Sequence, residues 1–182
     1  SASSTNAANL AGDSLEYGPI GDWDVSAITD FSELFDMEAH HTSNSRFIAF
    51  VDLSGWDVSN GTNFSGMFRE FWSRGGIDIS GWDLGKATNC SSMFVGIPFA
   101  QYIKGLSALG STFTSEIKNL SNMLRDIRSA YGDYYDTESS SIVEFDLSSW
   151  NVGSVTNMLH MFNGSTSHVN GNGLINTSRV TS

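Results

Sequence analysis

The chain has 182 residues with 9 Lys+Arg against 20 Asp+Glu, a net charge of -11. Phosphate backbones and anionic membranes are gripped by clustered Lys and Arg, so this balance argues against nucleic acid and against a lipid surface as partners. No run of about 18 apolar residues is present to span a membrane, and the single cysteine, Cys90, leaves no intrachain disulfide.

The opening "SASSTNAANLAGDS" lacks the basic-then-apolar pattern of a signal peptide and reads as a flexible mature terminus. Residues 1–18 are assigned to an N-terminal segment or cap. After it comes a segment that recurs along the chain: "IGDWDVSAITDFSELF" around Trp23, "LSGWDVSNGTNFSGMF" around Trp56, "ISGWDLGKATNCSSMF" around Trp82 and "LSSWNVGSVTNMLHMF" around Trp150. A degenerate copy, "LGSTFTSEIKNLSNML", puts Thr112 where the others have tryptophan. The anchors lie 33, 26, 30 and 38 residues apart, which fits a unit of about 26 residues with loop insertions.

The columns of this alignment carry its chemistry. Three residues before the anchor stand Ile20, Leu53, Ile79, Leu109 and Leu147; two after it stand Val25, Val58, Leu84, Thr114 and Val152. Position +8 holds Phe31, Phe64, Cys90, Leu120 and Met158. Positions +11 and +12 hold Leu34-Phe35, Met67-Phe68, Met93-Phe94, Met123-Leu124 and Met161-Phe162. The anchor and its +2 neighbour alternate as in a strand, whereas +5, +8, +11 and +12 have the spacing of a helical face. Each unit therefore predicts a short strand followed by one or two helical turns. One unit cannot bury its own apolar face, so the expected fold is an α/β, leucine-rich-repeat-like solenoid of about five units over residues 19–164, with a parallel sheet. The end, "INTSRVTS", lays Ile175 on the anchor, so residues 165–182 read as a C-terminal cap or a partial sixth repeat.

"DLSGWDVSNGTNFSGMF" and "FDLSSWNVGSVTNMLHMF" resemble the BspA-like leucine-rich-repeat family, whose units read roughly W-D-V-S-N-V-T-N-M-S-x-M-F. The resemblance covers about residues 19–164. It departs at Asp30, where the family has Asn, at Thr112, and in the insertions "MEAHHTSNSRFIAF" and "RDIRSAYGDYYDTESSS". The family occurs in bacterial surface proteins, mycoplasma lipoproteins and proteins of microbial eukaryotes, and the resemblance implies adhesion and surface attachment.

Six N-x-S/T sequons are present. Asn60, Asn163 and Asn176 fall in loop-like contexts and are the better candidates for N-glycosylation. Asn63, Asn89 and Asn119 share the +7 column, where a hydrogen-bonded Asn ladder or a helix N-cap competes with a glycan. Asp24, Asp57 and Asp83 follow the tryptophans, and Asp52, Asp78 and Asp146 precede them by four. Stacked carboxylates could take calcium, bridging subunits, but no D-x-D-x-D-G loop is present, so a solvated acidic edge is the preferred reading and no cofactor is assigned. His40 and His41 lack further ligands at metal spacing. Cys90, in an apolar column, reads as a core thiol, and no catalytic constellation can be assembled.

These readings converge on a non-enzymatic extracellular or cell-surface protein with a structural and adhesive role, self-associating into a fibre or layer. One alternative is a recognition module that binds a glycan or host protein through Trp72 and the "DYYD" of residues 133–136. Another is a carbohydrate-active enzyme, which would need two acids in one cleft.

Overall fold

A computed structural model of the chain describes residues 17–37, 50–71, 73, 75–97, 103–127 and 147–164. Of the N-terminal segment or cap assigned to residues 1–18 only residues 17 and 18 are described, and residues 165–182, read as a C-terminal cap or a partial sixth repeat, lie outside the described residues. Among the described residues, regular strand is confined to β1 (Val51–Asp52), β2 (Ile77–Asp78) and β3 (Ile103–Lys104), which form one parallel sheet in the order β1-β2-β3. Val51 pairs with Ile77 and Ile77 with Ile103, so the apolar member of each strand faces the core in register. A four-residue helix, α1 (Leu106–Leu109), follows β3 directly.

A second parallel contact links Asp30, Asn63, Asn89, Asn119 and Asn157 in sequence. It ties five segments side by side. Each is termed a rung, and positions within it are counted from Trp23, Trp56, Trp82, Thr112 or Trp150. The backbone amides at +8, +10, +12 and +14 of one rung donate to the carbonyls at +7, +9, +11 and +13 of the next. Phe64, Gly66, Phe68 and Glu70 thus donate to Asn89, Ser91, Met93 and Val95 at 2.8, 2.9, 2.9 and 2.7 Å. The same four bonds recur at the other three junctions, from Phe31→Asn63 at the first to Asp126→Asn163 at the last.

Where the sequence spacing predicts helix, the structure has linked turns. Met67 donates back to Phe64 O, Arg69 to Gly66 O and Phe71 to Phe68 O, all three residues apart. An α-helix needs each amide for a carbonyl four residues back and keeps φ negative. Here the amides at alternate positions go to the neighbouring rung instead. The residue at +10 is left-handed in every rung: Glu33, Gly66, Ser92, Asn122 and His160 have φ of 55°, 63°, 58°, 55° and 58°. A positive φ at the third residue of a turn is the mark of type II geometry. A three-residue turn also returns side chains to one face, so the apolar spacing imitates a helix.

The strand expected at the anchor is likewise replaced by turns. Trp56 donates to Leu53 O at 3.0 Å and Gly61 to Val58 O at 2.8 Å. Asp52 and Asp57 hold these turns, their Oδ1 atoms accepting the amides of Ser54 at 3.0 Å and Ser59 at 3.1 Å. Short polar side chains that satisfy nearby amides compete with ladder pairing, and here they displace it to β1–β3, upstream of the tryptophans.

The core is a set of columns. Leu53, Ile79, Leu109 and Leu147 are buried at -3, Val58, Leu84 and Val152 at +2, Phe64, Cys90 and Leu120 at +8, and Met67, Met93 and Met123 at +11. Rings stack across rungs: Phe31 on Phe64 at 5.1 Å and 8°, Phe35 on Phe68 at 5.3 Å and 3°, Phe68 on Phe94 at 5.7 Å and 4°. Such pairs contribute about 0.5–1.5 kcal/mol each beyond their burial. Each stacked indole also satisfies its donor, Trp56 Nε1 reaching Ile20 O and Trp82 Nε1 reaching Leu53 O, both at 2.8 Å. Trp23 departs from this role: it is 40% exposed against 4% for Trp56, because among the described residues no rung precedes it.

The fourth rung replaces the missing indole with backbone. Gly110 sits where any side chain would strike Trp150, a Cβ there lying 2.2 Å from the indole Cγ. Trp150 fills the gap from below, its Nε1 donating to Leu106 O and Ser107 O at 3.3 and 3.2 Å.

Candidate interaction surface

The acidic column is a row of turn caps. Asp24, Asp57 and Asp83 are exposed, and each uses Oδ1 to accept the amide two residues on: Ser26 at 3.0 Å, Ser59 at 3.1 Å and Gly85 at 2.8 Å. The hydroxyl and amide of Ser26 hold the Asp24 carboxyl below its usual range, and those of Ser59 do the same for Asp57 against desolvation and the like charge of Asp24. In the parallel row, Asp52 is exposed, while Asp78 is half-buried, lowered chiefly by Ser80 and paired with Lys104 Nζ at 3.3 Å. Lys104 Nζ also sits 4.7 Å above the centre of the Phe50 ring, a cation–π contact. Among the described residues no three His, Cys, Asp or Glu side chains converge as a metal site. Asp146, His40 and His41 lie outside the described residues.

The +7 column is a ladder of side-chain amides. Asn63 Nδ2 donates to Asp30 Oδ1 at 3.1 Å and Asn89 Nδ2 to Asn63 Oδ1 at 3.2 Å. Each Oδ1 also accepts the amide two residues on, from Ser32, Ser65, Ser91, Ser121 and Leu159 in turn. A glycan attaches through Nδ2, the atom that Asn63 and Asn89 use to reach the preceding rung. Asn119 is half-buried in the same column. Asn60 is also engaged: its Nδ2 donates to Ser26 O at 2.9 Å and its Oδ1 accepts Lys86 Nζ at 2.6 Å. Asn163 is exposed. Asn176 lies outside the described residues, as do Trp72 and residues 133–136.

Cys90 is fully buried between Phe64 and Leu120 in its column, and desolvation pushes its thiol far above the usual value. A thiolate nucleophile is not available there. An open depression of about 420 Å³ lies beside the fourth rung, lined by Ile79, Trp82, Asp83, Leu109, Ser111 and Thr112. It carries one carboxylate, Asp83, and no second acid with which to cleave a glycoside. No helix among the described residues is long and apolar enough to cross a membrane.

Self-association was expected to use the ends of the stack, but the residues exposed there could not be told from the motif. At the first rung, Ile28 and Leu34 are 40% and 44% exposed, whereas their equivalents Ala87 and Met67 are fully buried. At the last, Val155, Met158 and Phe162 are half-buried and Leu159 is exposed. Nothing in the motif distinguishes these residues from their buried counterparts. Only position in the array does.

The chain matches, over residues 6–133 and again over 99–182, the model of a family described as "Mycoplasma protein of unknown function, DUF285". No curated protein and no solved structure matches it.

Proposed function

This chain belongs to the DUF285 family, and we propose that it is a non-enzymatic repeat scaffold that acts by presenting and joining surfaces. In this reading the rungs are units of a BspA-like, leucine-rich-repeat-type solenoid. The protein works outside the cell or on its surface, in attachment or in building a fibre or layer. The observation that carries the reading is the recurrence of one set of four inter-rung backbone bonds at all four junctions. A stack joined by repeated bonds extends by adding units, and its stability grows with neighbour contacts. The recurring polar side chains serve the stack itself: Asp24, Asp52, Asp57, Asp78 and Asp83 each cap a turn through Oδ1, and Asn63 and Asn89 bridge rungs.

Light scattering at two protein concentrations tests the assembling role. Mass that rises with concentration supports it, and a strictly monomeric particle at both concentrations overturns it.

A further inference from the structure

We propose that the last rung of one copy receives the first rung of a second copy, head to tail and in register, and that Asp30 limits this addition. The inference rests on the scaffold reading above and specifies its partner and its control.

Three features of the two ends fit one another. First, the hydrogen-bond pattern is split between them. Within the stack, +8, +10 and +12 amides donate to +7, +9 and +11 carbonyls of the next rung. Among the described residues, the amides of Met158, His160 and Phe162 at the last rung have no acceptor, and the carbonyls of Asp30, Ser32 and Leu34 at the first have no donor. The reverse bonds are also divided: the amides of Thr62 and Asn63 go to Thr29 O, while those of Thr29 and Asp30 are free and Thr156 O accepts nothing. Five backbone bonds of the kind already used at each junction would form at once.

Second, the apolar columns are split in the same places. Trp23, Ile28 and Leu34 are open on the side where a preceding rung would lie, and Val155, Met158 and Phe162 belong to columns that a following rung would cover. Third, the charge is compatible at the anchor, since Asp24 would stand over Asn151 rather than over another carboxylate.

Asp30 is the exception. At every other rung the +7 position holds an asparagine, and the Nδ2 of Asn63 and Asn89 donates to the +7 oxygen of the rung before. Across the proposed junction, the oxygen awaiting a donor is Asn157 Oδ1, which already accepts the Leu159 amide. Asp30 has no hydrogen to offer, so two acceptors face each other. A carboxylate at this one place makes the end of the stack reluctant rather than sticky, in keeping with the use of charged side chains to guard open edges.

The test uses the full chain. Ser32 and Leu159 share the +9 column, so across the junction their Cα atoms would lie about 4.8 Å apart, the spacing of parallel neighbours. That is inside the roughly 4.4–6.8 Å range for a disulfide. A mixture of Ser32→Cys and Leu159→Cys chains should give a cross-linked heterodimer under mild oxidation, and neither variant alone should cross-link. Asp30→Asn should lower the concentration of half-assembly by about tenfold, the effect of converting one acceptor clash into a hydrogen bond. Concentration-dependent assembly without the mixed cross-link, or with cross-linking of either single variant, overturns the register and leaves the scaffold reading standing. An end already taken by another segment of the same chain gives no mixed cross-link and likewise overturns the register. Monomers at every concentration, for the natural chain and for Asp30→Asn alike, overturn both.

Discussion

The indole of Trp82 lies on that of Trp56 with centroids 6.4 Å apart and planes 5° from parallel. Its Nε1–H meanwhile reaches Leu53 O in the same rung as Trp56. One side chain thus joins the rungs twice, by its face and by its edge. Truncating it as Trp82→Ala should cost about 3–5 kcal/mol of unfolding free energy, the range for deleting a buried aromatic. Trp82→Phe keeps a ring and loses the donor. It should cost only about 1–2 kcal/mol, since Leu53 O still accepts the Trp56 amide. Urea denaturation of the two variants separates ring from hydrogen bond; equal losses would refute the double role.

The amide ladder gives a sharper test because one atom can be changed. Asn89→Asp keeps the oxygen that caps Ser91 and removes the Nδ2 donor to Asn63. A carboxylate then faces an amide oxygen, and we expect a loss of about 1–3 kcal/mol at neutral pH. Acidification that protonates the new carboxyl restores a donor, so the deficit relative to the natural chain should shrink below about pH 4. Chemical denaturation at pH 7 and at pH 3.5 reads both parts.

Left-handed positions occupied by ordinary residues are places where glycine should help. Ser92 has φ of 58° and Asn122 has φ of 55° at the same place in successive rungs. Ser92→Gly should stabilise by up to about 1 kcal/mol, and Asn122→Gly by less, because asparagine already tolerates this region. The reverse change, Gly66→Ala, meets only the flexible Glu33 Cγ at 3.4 Å, so its cost of about 1 kcal/mol is conformational. Thermal unfolding midpoints should order the three variants in that way.

Asp57 links the caps to pH. Its carboxyl is lowered from the ordinary value of 3.8 by the Ser59 hydroxyl and amide. A group whose native value is depressed contributes stability that is present above its unfolded value and lost as pH falls through the native one. The natural chain should therefore resist urea better than Asp57→Asn at pH 7, and the gap should close between about pH 4 and pH 2. Parallel denaturation curves across that window check it. A constant gap would mean that the effect is not ionic.

Much of the interior was readable from residue type alone. Leu53, Val58, Phe64, Met67 and Phe68 stand in columns that the alignment marks as apolar, and all are buried. The backbone between them was not. A period of three to four residues fits both a helix and a run of three-residue turns, and apolar spacing does not encode the sign of φ. Gly66 and Asn122 hint at a left-handed column, but Glu33, Ser92 and His160 conceal it. The Asn column was readable as hydrogen-bonding because its amide recurs at one place. Trp23 misled for a different reason: its motif matches that of Trp56, and its exposure depends on what stacks against it.

The uniform sense of the inter-rung bonds has an electrical consequence. In an ordinary sheet the peptide dipoles of neighbouring residues alternate and largely cancel. Here the amides at +8, +10, +12 and +14 all point towards the last rung, and the carbonyls that receive them point towards the first. Their dipoles add along the arc in the way those of a helix do, outnumbering the two reversed amides at +6 and +7. One pole, at Met158, His160 and Phe162, is electropositive, and the other, at Asp30, Ser32 and Leu34, is electronegative. The stack therefore carries a net dipole along the line of its rungs.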